Sequence, residues 1–297
     1  MTLLRMGTAI VGRYIVLRPI GRGGVSVVYE AVDAVSPRPL AVKVLSPALA
    51  DDARAQDSVR REALITQRLR HPSVPRIYDF GDMRLPDGGS APYMVMELLS
   101  GVSLADRLAD GPMPWEEALR VAATVADVLA VAHRRGFVHR DLTIENIMLT
   151  RDGVKIIDFG LATTVDRPRN DRPRVTRTTV PRRPAVPAHP VTSAAQPADD
   201  VYSLGVLLYQ MLTGRSPYPG SLESPHVRRL APTPVLAIAG LPREVADMCR
   251  SCMAKRPADR PSSRDLAFAL WAMLPAPSIP TRDQSSLEVA RTTSREL

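Results

Sequence analysis

The chain has 297 residues, 45% hydrophobic and 24% charged, with a formal net charge of +8. It is long enough for one large domain or two small ones around a real core. No run approaches the ~18 uninterrupted apolar residues of a membrane span, and residues 1–11 lack the apolar stretch of an export signal. A cytoplasmic protein with no membrane contact is expected.

The positive charge is a weak argument for nucleic acid. The cations are 36 Arg and only three Lys (43, 155 and 255), a bias that reads as genome composition. Residues 163–198 hold seven Arg against Asp166 and Asp171, a local +5 of the total +8. No aromatic residue is interleaved there to stack bases, so a solvated basic loop is preferred. Cys249 and Cys252 are too few for a disulfide framework, and no second pair or nearby His completes a metal site. Their i, i+3 spacing with Val245 and Met248 suits one packed helix face.

In chain order, residues 1–12 read as a flexible N-terminus. Residues 14–20, 27–33, 40–45, 77–81 and 93–98 are short, β-branched runs bounded by turn residues, and predict strands. Between the third and fourth, residues 51–69 predict a helix with an Asp-rich start and apolar Val59, Ala63 and Leu69. Residues 114–135 predict a long helix: Pro114 opens it, Glu116 and Glu117 sit in its first turn, and Ala118, Val121, Val125, Val128, Leu129 and Ala132 form the stripe. Residues 142–159 return to short strands. Residues 200–212, 241–254 and 263–274 are helical. Residues 163–198 carry seven Pro in 36 positions with no period, which marks a functional loop. Residues 275–297 are polar and read as a disordered tail.

Four sequence features carry chemistry. Gly21, Gly23 and Gly24 lie between two predicted strands, where glycine lets backbone N–H groups approach phosphate oxygens; a plain hairpin would also use them. Lys43 lies inside the apolar strand Leu40-Ala41-Val42-Lys43-Val44-Leu45, a costly position unless paired. Glu62 on the following helix is the natural partner. The run Val138-His139-Arg140-Asp141-Leu142-Thr143-Ile144-Glu145-Asn146 is followed, twelve residues beyond Asn146, by Asp158-Phe159-Gly160.

In residue type, order and spacing this set resembles the bacterial branch of the eukaryotic-like serine/threonine protein kinases, over residues 14–274. The resemblance implies an α+β, bilobal protein-kinase fold: a domain over 13–274, with a β-rich N-lobe over about 13–98, a helical C-lobe over about 102–274, and an activation segment over 158–198. It implies transfer of the γ-phosphoryl of ATP, with Mg²⁺, to a Ser/Thr hydroxyl of protein substrates, the chain itself among them. Position by position it implies that Lys43 grips the α/β-phosphates and Glu62 holds Lys43. Asp141 is the implied base, and Asn146 and Asp158 the implied Mg²⁺ ligands. Ile20 and the Gly21–Gly24 stretch would cover the nucleotide, and Val28, Ala41 and Met148 would sandwich adenine. Met96 stands as gatekeeper, with the Glu97 carbonyl and the Leu99 N–H at the adenine edge. His139 is expected to be structural. Asp200 is expected to hold the catalytic loop by backbone hydrogen bonds.

The chain departs from that pattern around the acceptor side. Thr143 and Ile144 stand where the family has Lys and Pro, and Ser26 stands for the third glycine. The Glu that ends the activation segment falls near Val186, Pro187 and Ala188, which leaves Arg260 without its usual partner. An ATP-binding scaffold and a kinase of a small-molecule hydroxyl are the competing readings. The loop's acceptor candidates are Thr163, Thr164, Thr176, Thr178, Thr179, Thr192 and Ser193, with autophosphorylation expected within 176–179 and Arg140 placed to receive a phosphate.

Overall fold

The computed structural model describes residues 4–23, 25–85, 88–159, 162–164, 196–218 and 232–275. Gly24, Gly160, the loop candidates Thr176, Thr178, Thr179, Thr192 and Ser193, the Val186–Ala188 stretch and the expected tail from 276 onward lie outside the described residues.

The first part of the chain forms a six-stranded antiparallel sheet in the order β1-β2-β3-β4-β6-β5. Its members are β1 (Ala9–Ile10), β2 (Tyr14–Arg22), β3 (Ser26–Asp33), β4 (Pro39–Leu45), β5 (Ile77–Arg84) and β6 (Ser90–Met96). Helix α1 (Ala53–Leu69) follows β4 and packs on β4, β5 and β6. Its start is fixed by Asp52, whose carboxylate accepts from the amides of Arg54 and Ala55 at 2.9 and 3.3 Å. Val59, Glu62, Ala63 and Leu69 make its buried face, so a carboxylate is turned inward among apolar neighbours. Six consecutive buried positions, Leu40 to Leu45, make β4 the central strand, covered on both faces.

Residues 4–12 correct the expectation of a flexible N-terminus. Ile10 is fully buried, Leu4 nearly so, and Ala9–Ile10 pairs with Ile15 and Tyr14. The Leu4 amide donates to the Tyr29 hydroxyl at 3.1 Å. These two apolar side chains join Tyr14 and Tyr29 in the core of the sheet, which gives the segment a reason to fold back.

After the sheet the chain runs through β7 (Gly101–Ser103), α2 (Leu104–Ala109), α3 (Trp115–Arg134), β8 (Phe137–Val138), β9 (Ile147–Thr150), β10 (Gly153–Ile156) and β11 (Thr163–Thr164). The described helices end with α4 (Pro197–Thr213), α5 (Arg243–Cys252) and α6 (Ser263–Ala272). The buried stripe of α3 supplies the centre of the second core, against α4 and α6. Gly101 is where the chain leaves the first sheet for the second: a Cβ there would collide with the Leu149 carbonyl on β9. The six-residue α2 is too short to show a period in sequence, yet Ser103 caps it by accepting from the Asp106 amide at 3.0 Å. Cys249 and Cys252 are core residues of α5, and burial pushes the Cys252 thiol up to about 12. Among the described residues no His, Cys, Asp and Glu group could hold a metal by itself, and no helix is long and apolar enough to cross a membrane.

Candidate active site

The central strand presents Lys43 opposite Val28 of β3 and Met94 of β6. Its ammonium donates to both carboxylate oxygens of Glu62, at 2.6 and 2.7 Å, and reaches Asp158 Oδ2 at 3.4 Å. One cation thus joins the sheet, α1 and the segment after β10. Burial pulls the Lys43 ammonium down, but the charges of Glu62 and Asp158 outweigh it and hold the group above its ordinary value. Burial pushes the Glu62 carboxyl up to about 7 against the opposing pull of Lys43.

Asp141 follows a strained turn. Arg140 has φ +69°, the left-handed region an L-residue seldom adopts. The amides of His139 and Arg140 each donate to the Asp200 carboxylate at 2.8 Å, which ties the peptide entering Arg140 to α4. Asn146 Nδ2 then donates to the Asp141 carbonyl at 2.8 Å and to its Oδ2 at 3.4 Å. The Ile157 amide donates to the Asn146 carbonyl at 3.0 Å, tying the loop to the residue before Asp158. The His139 ring is buried 4.7 Å from the Phe159 ring and accepts from the Asp141 amide through Nδ1 at 3.3 Å. Burial holds its pKa below the ordinary value.

The nucleotide-lining candidates lie on the two sheets and on the connection between them. Gly21 pairs with Val28 at the end of the β2–β3 hairpin, and the Gly23 amide donates to the Ser26 carbonyl at 2.8 Å. Ile20 is 40% exposed beside them. Ala41 on β4 is buried and Met148 on β9 is half-buried. The described chain passes from Met96 through Glu97 and Leu99 to Gly101 between them. A feature the sequence did not announce is Lys155 on β10, buried and bound to both oxygens of Glu97 at 2.8 and 3.0 Å. Its only signal was a lysine kept in an arginine-rich chain.

Mg²⁺ and phosphates fit the donor set. The Asn146 side chain spends its nitrogen on Asp141, so Oδ1 is the atom it offers a cation; the Asp158 carboxylate is partly exposed. Two hard oxygen ligands are what Mg²⁺ takes from a protein when substrate phosphates and water complete its octahedron. Lys43 adds a point charge for phosphate.

Thr143 and Ile144 line a cavity of about 280 Å³ with Leu142, Glu145, Tyr202 and Gln210. Arg260 is well partnered despite the missing Glu. It donates to the carbonyls of Ala198 at 2.7 Å and Ala254 at 2.9 Å, and its guanidinium lies 4.8 Å above the Tyr202 ring.

A protein kinase domain model matches residues 14–272, and the chain belongs to that family. Among similar proteins, the serine/threonine-protein kinase PknL of Mycobacterium tuberculosis is 37% identical over 257 residues, covering 84% of this chain and 62% of PknL. The serine/threonine-protein kinase PknA of the same organism is 35% identical over 265 residues, covering 86% of this chain and 60% of PknA. The chain therefore spans about three fifths of the length of these relatives. The crystal structure of the M. tuberculosis PknI kinase domain superposes with a TM-score of 0.66 at 28% identity, covering 90% of this chain and 98% of that one. The bilobal fold is thereby shared with solved kinase domains.

Proposed function

We propose that this chain is a serine/threonine protein kinase that moves the γ-phosphoryl of Mg-ATP to a protein hydroxyl. The observation that carries the reading is the formed Lys43–Glu62 pair with Asp158 in reach, beside the braced Asp141–Asn146 pair. A buried lysine shared between two carboxylates serves no core that a hydrophobic residue would not serve as well.

The reading gives each residue one task. Lys43, held by Glu62, binds phosphate oxygens. Asn146 and Asp158 would hold Mg²⁺, which supplies charge neutralisation across the phosphates when bound. Asp141, oriented by Asn146, receives the proton of the acceptor hydroxyl as its oxygen bonds to the γ-phosphorus and the bond to the bridging oxygen breaks. Charge placement supplies most of the rate, since phosphoryl transfer asks little covalent chemistry of the protein. The neutral His139 takes no proton. The half-apolar cavity beside Leu142–Glu145 supports an acceptor with side chains flanking its hydroxyl, which favours a peptide over a small molecule. The chain's own Thr-rich stretch, residues 163–193, is a proposed acceptor as well.

Incubation with labelled Mg-ATP and dephosphorylated casein, followed by acid hydrolysis and phosphoamino-acid separation, tests the reading. Label in phosphoserine or phosphothreonine is expected. Nucleotide binding without any label in protein would favour the scaffold.

A further inference from the structure

Helix α6 buries Leu266, Ala267 and Leu270 in the core it shares with α3, yet two aromatic residues on it stay outside. Phe268 is 78% exposed and Trp271 44%, and among the described residues they are the exposed members of the chain's four Phe and two Trp. They stand at i and i+3, neighbours on one helix face. The Trp271 indole N–H donates to Asp127 Oδ2 on α3 at 2.7 Å, which fixes the ring beside its helix. Apolar residues exposed singly are ordinary, but two adjacent aromatic side chains, one of them pinned, form a preset apolar platform.

The chain brings a matching segment to that platform. Met273 and Leu274 pack against the core, and residues 276–297 lie outside the described residues. The sequence from 274 to 280 reads Leu-Pro-Ala-Pro-Ser-Ile-Pro. Proline locks its own φ near about −65° and pushes the residue before it to extended backbone. Of these seven residues only Ser278 escapes both constraints, so the stretch is biased to polyproline II and gives up little entropy on docking. Aromatic-lined surfaces are what such segments dock on, and Ile279 adds an apolar side chain to bury. The reach suffices: Phe268 lies about 10 Å from Pro275 along the helix at ~1.5 Å per residue, while residues 276–280 span about 15 Å at ~3.1 Å per residue.

We propose that residues 276–280 dock as a polyproline II segment on the Phe268–Trp271 face of their own chain, so that the stretch after α6 runs along the helical lobe. The occupant is this chain's own segment because its attachment point, Pro275, stands one helical turn from Trp271, which makes the docking intramolecular at high effective concentration. The inference is independent of phosphoryl transfer.

The test uses the full chain carrying Trp115→Phe, which leaves Trp271 as its single indole. Acrylamide quenching of Trp271 is compared with that of the same chain bearing Pro277→Ser, Ile279→Ser and Pro280→Ser, each at two protein concentrations about tenfold apart. The Ser substitutions should raise the quenching constant about twofold or more at both concentrations, since they uncover the indole. The second readout is limited trypsin digestion of the otherwise wild-type chain and of Phe268→Ser, a variant that removes a side chain already 78% exposed and so leaves the core intact. Cleavage after Arg282 should quicken about fivefold in Phe268→Ser while cleavage after Arg291 stays unchanged, because cleavage follows the undocked population. Equal quenching with and without the Ser substitutions, or an Arg282 rate that Phe268→Ser does not alter, would overturn the proposal. Shielding of Trp271 that appears at the higher concentration alone would overturn it too, since a second copy then covers the face.

Discussion

Lys155 on β10 closes both oxygens of Glu97 at 2.8 and 3.0 Å, and the second of those oxygens also accepts from the Arg76 amide at 3.1 Å. Glu97 begins the connection between the two sheets, so this pair joins the strand pair β9–β10 to the crossing and to the loop before β5. Lys155→Met leaves the Glu97 carboxylate, 28% exposed and still bonded to the Arg76 amide, without its charge partner, and should destabilise the protein by about 1–3 kcal/mol. Chemical denaturation measures this. The double variant Lys155→Met/Glu97→Gln should recover part of the loss, whereas additive losses would mean the pair is not coupled.

The Glu62 carboxyl titrates at about 7 in the folded protein and at 4.5 in its ordinary state. Its native value is raised, so folding takes up a proton between those limits. Stability linked to it is present below the lower value and is lost as pH rises through about 7, while ionic pairing with Lys43 grows over the same window. The proposed kcat/KM for ATP, which reports the free enzyme, should therefore rise through about pH 7. Glu62→Gln should abolish that limb. A limb that persists unchanged in Glu62→Gln belongs to another group.

Gly205 lets Cys252 of α5 pack directly against the backbone of α4. A Cβ at that position would lie 2.7 Å from Cys252 Cβ and 2.9 Å from Met253 Cγ, with the Cys252 carbonyl carbon at 3.3 Å. Gly205→Ala should cost about 1–3 kcal/mol through overpacking, read as a lowered melting temperature. Added Zn²⁺ should leave that temperature unchanged, and a metal-dependent rise would show that the thiols bind it.

Nucleotide binding should depend on Mg²⁺ through Asn146 and Asp158. ATP with Mg²⁺ is expected to raise the melting temperature, and Asp158→Ala should remove most of the metal-dependent part. An equal shift with and without metal would place the affinity elsewhere.

The fold was largely legible because the core elements have strong periods: the α3 stripe and the buried runs of β3 and β4 came through nearly at their observed bounds. The candidate site was legible because Asp141, Asn146 and Asp158 stand at set spacings around distinctive triplets, while Lys43 is a lone cation in an apolar strand with Glu62 on the next helix. What the sequence does not display is nonlocal. The Lys155–Glu97 pair spans 58 positions and the His133–Ser263 contact 130, with no local pattern to announce either. The packing of residues 4–12 is nonlocal in the same way: Leu4 and Ile10 are too sparse to show a period, and the partner surface of Tyr14 and Tyr29 gives them a place. Arg260 finds backbone carbonyls as partners, and a sequence does not display which carbonyls lie near a side chain.

The central claim is that Asp141 acts on the acceptor hydroxyl within a phosphoryl-transferring site. Transfer of labelled phosphate from Mg-ATP to casein by wild type and by Asp141→Asn tests it most directly, with the nucleotide-induced melting shift measured on both. Wild type should transfer label, while Asp141→Asn should keep the melting shift and lose about a thousandfold or more of the rate, since the base acts on the nucleophile and leaves the nucleotide contacts intact. No transfer by wild type, or equal rates in the two proteins, would contradict the account.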